Sequence, residues 1–186
     1  EVERLGSDFA AAAAWIAERR PEARFVAPMA SVRVRSRFEA ILAAMPAPPV
    51  VDLVDGRAQS VLAAADAAIV ASGTATLETL LTGRPMVVAY RFAALTAWLL
   101  RRLGLVKVAY FSQPNLLVGR RLVPEFLQEE VTGEALGEAL LRELGDREHV
   151  SELQQEFRRV HETLRRGGAE RAAAAILDYA GGARRA

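Results

Sequence analysis

Ala67-Ala68-Ile69-Val70-Ala71-Ser72-Gly73-Thr74-Ala75-Thr76-Leu77-Glu78 is an apolar run that stops at Ser-Gly-Thr and restarts as a helix-forming run with a carboxylate inside it. A strand, a tight loop and a helix in that order present backbone N–H groups and a helix N-terminus to an anion. Thr74 is the expected N-cap, its hydroxyl placed to accept from the first-turn amides. Glu78 stands one turn further in, within reach of a sugar hydroxyl. The segment points to a nucleotide or sugar-phosphate site. The plainer alternative is a parallel-sheet crossover whose glycine serves only the turn.

Outward from this stretch, short apolar runs alternate with helical spacing. Leu5, Phe9, Ala12, Ala13 and Ile16 share a helix face that Pro21 ends. Arg24 to Ala27 reads as a strand, Ser31 to Ala44 as a helix, and Val50 to Val54 as a strand broken by Asp55-Gly56. A short alanine-rich helix precedes the quoted stretch. Thr74 to Leu81 is the helix after it, Met86 to Ala89 another strand, Phe92 to Leu103 a helix and Val108 to Phe111 a last strand. Beyond that, Pro124–Glu129, Gly133–Leu144, Glu148–Arg165 and Ala169–Tyr179 read as helices. Continuous apolar strands alternating with helices predict an α/β fold, a Rossmann-like doubly wound parallel sheet followed by C-terminal helices. Ligands of such sheets sit beyond the carboxyl ends of the strands. The loops at Pro28-Met29-Ala30, Asp55-Gly56 and Ser72-Gly73-Thr74, the loop after Ala89, and the loop Ser112-Gln113-Pro114-Asn115 are expected to open onto that edge.

Composition narrows the chemistry. The chain of 186 residues carries a net charge of +1, which gives no general attraction to nucleic acid. It has no cysteine and two histidines, His149 and His161. Disulfides, thiolate metal sites and three-histidine metal centres are thereby excluded. Phe92 to Phe111 is the most apolar region, but Arg101, Arg102 and Lys107 interrupt it too often for a membrane-spanning helix. The chain starts in helical register without methionine, as a piece of a longer protein would.

Three segments together resemble lipid-A-disaccharide synthase: Ala71–Glu78, Gly83–Arg91 and Pro114–Arg120, with Glu125–Glu130 in support. The resemblance implies the carboxyl-terminal, donor-binding half of a two-domain GT-B glycosyltransferase. That enzyme moves 2,3-diacylglucosamine from UDP-2,3-diacylglucosamine to 2,3-diacylglucosamine 1-phosphate, a lipid acceptor, releasing UDP. It implies no metal or other cofactor. It also implies that the general base and a Gly-Ser-Arg loop precede Glu1, so that this chain alone lacks catalysis. Residues 1–145 are then the UDP-sugar domain, and 146–186 the helices that cross toward the other half.

By the same resemblance, Ser72, Gly73, Thr74 and Ala75 meet the diphosphate through backbone amides, and Glu78 accepts from the ribose. Asn115 donates to a phosphate or sugar hydroxyl, with a loop asparagine bonded to its own backbone as the alternative. Arg91 and Arg120 are cations near the diphosphate, and Gln128 and Glu129 weaker candidates. Pro28, Met29 and Gly56 border the uracil. Ser31 stands where the family often has asparagine. The Phe92–Leu105 segment, with Trp98, Leu99, Arg101 and Arg102, packs on the sheet with its arginines toward anionic lipid. The expected location is cytoplasmic, peripheral at the inner face of the bacterial inner membrane, and a homodimer is an open option. The competing readings are another UDP-sugar GT-B enzyme, such as a UDP-N-acetylglucosamine transferase or a 2-epimerase, and a non-catalytic nucleotide-binding module.

Overall fold

The computed structural model describes residues 1–92, 109–165, 167, 171–174, 176–177 and 179. The elements are α1 (Val2–Arg19), β1 (Phe25–Met29), α2 (Val32–Ala43), β2 (Val51–Asp55), α3 (Ala58–Ala64), β3 (Ala68–Ala71), α4 (Thr74–Leu81) and β4 (Met86–Tyr90). After them come α5 (Gln113–Val118), β5 (Glu125–Leu127), a 3-10 turn (Gln128–Glu130), α6 (Gly133–Gly145) and α7 (Arg147–Leu164). Among the described residues all strand pairs are parallel, in two ladders: β1 with β2, and β4 between β3 and β5.

Both faces of the second ladder are covered, in keeping with the continuous apolar runs of β3 and β4. Leu5 and Ala12 of α1 and Leu136 and Ala139 of α6 pack on the face carrying Val87 and Ala89. Leu80 of α4 with Leu153 and Phe157 of α7 pack on the opposite face, against Val70, Met86 and Val88. Met86, Val87, Val88 and Ala89 are consequently fully buried. The other side of α1 reaches the first ladder, where Ala10 meets Met29 and Phe38 beside Ala27, Val51 and Leu53. One helix therefore lies across both ladders.

The α1–α6 contact is close because Gly133 lacks a side chain. A methyl group there would lie 2.5 Å from the Ala11 Cβ and 2.8 Å from its carbonyl carbon. Backbone cannot yield as a flexible side chain can, so only glycine fits.

Three expected elements differ. Ala109 to Phe111 are not a strand, and Val108 lies outside the described residues. The last strand is instead Glu125–Leu127, within the stretch expected as a helix from Pro124 to Glu129. Three residues carry too little periodicity to separate strand from helix, and pairing with Val88–Tyr90 decides it. Ser112-Gln113-Pro114-Asn115, expected as a loop, enters α5, with Pro114 in the first turn where a missing N–H costs nothing. The expected helix beyond Phe92, with Trp98, Leu99, Arg101 and Arg102, lies outside the described residues. Residues 171–174, 176–177 and 179 are helical, as the spacing predicts. The buried Leu153 and Phe157 pack α7 onto the same sheet as the elements before residue 145.

Candidate functional site

The strand–loop–helix at Ser72 forms at the carboxyl end of β3. The Ser72 amide donates to the Ala89 carbonyl at 2.9 Å, holding the strand end to β4. Its hydroxyl donates to the Phe111 carbonyl at 3.0 Å. Gly73 then takes φ 149 and ψ −156, a region essentially closed to residues with a Cβ. The N-cap is thus Gly73 rather than Thr74, and no side-chain oxygen caps α4. Among the described residues the amides of Gly73, Thr74 and Ala75 have no acceptor, and Gly73 and Thr74 are exposed. A helix start in this condition carries partial positive charge and free donors.

Behind these amides the first turn is held from within. The buried Thr76 donates through Oγ1 to the Gly73 carbonyl, and the buried Thr79 to the Ala75 carbonyl, both at 2.7 Å. Glu78 is half-buried on the same helix, with no ion pair or side-chain hydrogen bond among the described residues.

A second wall comes from residues 110–113. Glu125, at the start of β5, accepts the Ser112 amide at 2.6 Å and the Phe111 amide at 3.2 Å. Its carboxylate therefore fixes the loop that Ser72 touches. The Tyr90 ring lies 4.9 Å from Phe92, edge to face, and 6.3 Å from Phe111. This aromatic group sits at the carboxyl end of β4, beside the Ser72 loop. Glu125 and Tyr90 fall within the segments that carry the resemblance, but the sequence assigns neither a role.

Several predicted contacts belong elsewhere. Arg91 donates to Asp8 at 2.6 and 3.2 Å and to the carbonyls of Arg4, Gln128 and Val131 at 3.0, 3.2 and 2.6 Å. All five guanidinium N–H groups are thus taken by the protein, leaving none for a diphosphate. Burial pushes the Asp8 carboxyl above its usual range, and this outweighs the downward pull of Arg91. Asn115 is fully buried. Its Nδ2 donates to the Val123 carbonyl at 2.9 Å, and its Oδ1 accepts the Leu122 and Val123 amides at 2.7 and 2.9 Å. It clamps the turn into β5, close to the bland alternative given above.

Arg120 pairs with Glu156 of α7 at 2.9 Å. It lies in the turn that leads into the parallel strand β5, toward the amino-terminal edge of the sheet and away from Gly73. Met29 buries its side chain in the core and offers only backbone, its carbonyl accepting the Gly56 amide at 2.8 Å. Pro28 and Gly56 are exposed at the carboxyl ends of β1 and β2, with Gly56 at φ 64. Ser31 caps α2 through the Val34 amide at 3.3 Å. Gln128 holds the Phe92 amide through Oε1 at 2.6 Å.

The structure therefore brings Ser72, Gly73, Thr74, Ala75 and Glu78 together with the 110–113 wall, and sets Pro28 and Gly56 on the carboxyl edge of the other ladder. It does not bring Arg91, Arg120, Asn115 or the Met29 side chain to that rim. An open groove of about 290 Å³ lined by Gly83, Arg84, Gln154, Phe157 and His161 lies at the opposite end of α4. It contains none of the residues at the strand carboxyl ends. Among the described residues no group of His, Asp and Glu is arranged to hold a metal ion, and no helix is long and apolar enough to cross a membrane.

The family described as lipid-A-disaccharide synthetase matches residues 1–178. The chain is 48% identical to the lipid-A-disaccharide synthase of Alkalilimnicola ehrlichii over 98% of its own length and 47% of that protein. It is 47% identical to that of Chromohalobacter salexigens over 95% of its length and 45% of that protein, and 48% identical to that of Pseudomonas entomophila with the same coverage. The chain thus spans about half the length of the curated relatives it matches.

Proposed function

The chain belongs to the lipid-A-disaccharide synthetase family, and on that premise we propose that it is the donor-binding half of a GT-B glycosyltransferase. The complete enzyme transfers 2,3-diacylglucosamine from its UDP carrier to 2,3-diacylglucosamine 1-phosphate. The general base belongs to the other half, and the acylated substrates place the work at the cytoplasmic face of the inner membrane, with the enzyme held peripherally. The UDP-sugar domain extends through α7, whose Leu153 and Phe157 are anchored in its core. The crossing segment begins after Leu164.

The observation that carries the reading is the uncapped start of α4, with an unpartnered carboxylate one turn behind it. The amides of Gly73, Thr74 and Ala75 receive the diphosphate. Negative charge gains roughly 0.3–2 kcal/mol at such a helix start, and fixed donors stabilise the UDP leaving group as charge develops on it, without a metal. Ser72 sets the loop through its two bonds. Glu78 accepts from the ribose hydroxyls. Pro28, Gly56 and the Met29 backbone face the uracil. Arg91, Asn115 and Arg120 support the fold around this site without touching the ligand.

Glu78→Ala is expected to weaken UDP binding roughly 10- to 100-fold, the range for losing hydrogen bonds to a charged acceptor. Glu78→Gln, which keeps an acceptor oxygen, loses less. Calorimetric titration of UDP checks this, and equal affinity in all three proteins removes Glu78 from the site.

A further inference from the structure

Glu125 stands level with Val88 of β4, and residues at one level of a parallel pair face the same side of the sheet. Leu80, Leu153 and Phe157 pack around Val88 on that side. A half-buried carboxylate is costly in such a place unless its oxygens are bonded. Among the described residues its partners are two backbone amides and no cation. Oε1 takes the Ser112 amide at 2.6 Å and the Phe111 amide at 3.2 Å, and Oε2 lies 3.3 Å from the same Phe111 amide.

The Ser112 N–H and the Phe111 C=O belong to one peptide unit. Its N–H end donates to the carboxylate, and its carbonyl end accepts the Ser72 hydroxyl at 3.0 Å. Hydrogen bonds in series polarise one another, so a carboxylate on the N–H makes the carbonyl a stronger acceptor. Among the described residues the Ser72 hydroxyl makes the one side-chain bond from the 72–75 loop to anything outside β3, α4 and β4. Its hydrogen is directed at Phe111 and away from a ligand. Gly73 follows at φ 149 and ψ −156, and the outward aim of the next amides depends on how the residue before it is held.

We propose that Glu125 is a positioning residue for the anion site: acting through the 111–112 peptide and the Ser72 hydroxyl, its carboxylate holds the amides of Gly73, Thr74 and Ala75 in line for the diphosphate. This role rests on the UDP reading for its ligand and on the bonds above for its geometry. A carboxylate near the rim could instead act by repelling the diphosphate. The two effects have opposite signs, so removing the carboxylate separates them.

UDP titrations and ligand-free amide spectra of the 186-residue chain test it. Glu125→Ala is expected to weaken UDP binding roughly 10-fold, the worth of one hydrogen bond to a charged group. Glu125→Gln recovers most of the loss, because one amide oxygen can keep both Oε1 bonds. Ser72→Ala weakens binding to a similar extent, and adding Glu125→Ala to it weakens binding little further, as for residues acting in one network. Where Glu125→Ala does not fold, the same cycle is read with Glu125→Gln through its smaller loss. The Val70 amide, within the β3–β4 ladder, reports that each variant is folded. A lowered Tm with unaltered UDP affinity makes Glu125 structural only and overturns the proposal. Fully additive losses overturn it, and so does tighter binding in either Glu125 variant. In the ligand-free spectra Glu125→Ala is expected to move the Gly73 and Thr74 amide signals, Glu125→Gln to return them near their original positions, and Ser72→Ala to remove the response. Unmoved signals, or equal movement with and without the Ser72 hydroxyl, overturn the proposal. Failure of the unaltered chain to bind UDP refutes the proposed ligand, while the spectra still decide whether Glu125 sets these amides.

Discussion

Replacing Arg91 by alanine is expected to lower the stability of the fold by about 3 kcal/mol, the low end of the range for breaking a buried ion pair. The low end applies because the Arg91 side chain keeps 30% of its exposure. The guanidinium ties Asp8 of α1 to the carbonyls of Gln128 and Val131 and so joins α1, β4 and the turn before α6. Its loss leaves the Asp8 carboxylate, which is 16% exposed, without a cation. A domain of this size loses roughly 2–4 °C in Tm per kcal/mol, giving a drop of about 6–12 °C. Lysine recovers only part of it, since one ammonium cannot reproduce a planar five-donor fork.

The pH dependence has a definite sign. The Asp8 carboxyl is raised in the fold, so the folded state holds that proton more tightly than the unfolded chain does. Acidification between the folded and unfolded values therefore favours folding at this group. The penalty of Arg91→Ala accordingly shrinks in acid, where a neutral Asp8 needs no cation. At a temperature where both proteins are folded, UDP affinity is expected to be unchanged. Lost affinity with an unaltered Tm would return Arg91 to the ligand.

Asn115→Ala is the second large effect, again about 3 kcal/mol. It leaves the amides of Leu122 and Val123 and the Val123 carbonyl without their partner. Each such buried group costs about 1–3 kcal/mol, and the costs do not simply add. Asn115→Asp is expected to be no better. It keeps the two acceptor bonds, turns the third contact repulsive against the Val123 carbonyl, and buries a charge. Denaturant melts check this. Full stability combined with lost UDP binding would show that Asn115 serves the ligand rather than the turn.

These two residues also mark where the sequence stops being readable. The strand, turn and helix of the Ser72–Glu78 segment are legible because their signals are local: an apolar run ends, a glycine takes a conformation other residues avoid, and a helix begins; the bonds of Ser72 to Ala89 and Phe111 are not. Gly73 rather than Thr74 emerges as the N-cap only from the backbone angles. The roles of Arg91 and Asn115 are set by partners the local pattern does not display. Asp8 lies 83 residues from Arg91, and nothing about an arginine after a strand reveals that its donors are already taken. Arg120 sits in a segment that adjoins the rim in sequence, but the direction of β5 carries it toward the other edge. Met29 belongs to a rim tripeptide, yet strand alternation turns its side chain into the core.

The most direct measurement of the central claim is a UDP titration of the isotope-labelled chain read amide by amide. The account predicts that the largest shifts fall on Gly73, Thr74 and Ala75, with smaller ones at Glu78 and Gly56. Shifts centred on Gly83, Arg84 and His161 at the opposite end of α4, or none near Gly73 at saturating UDP, would contradict it.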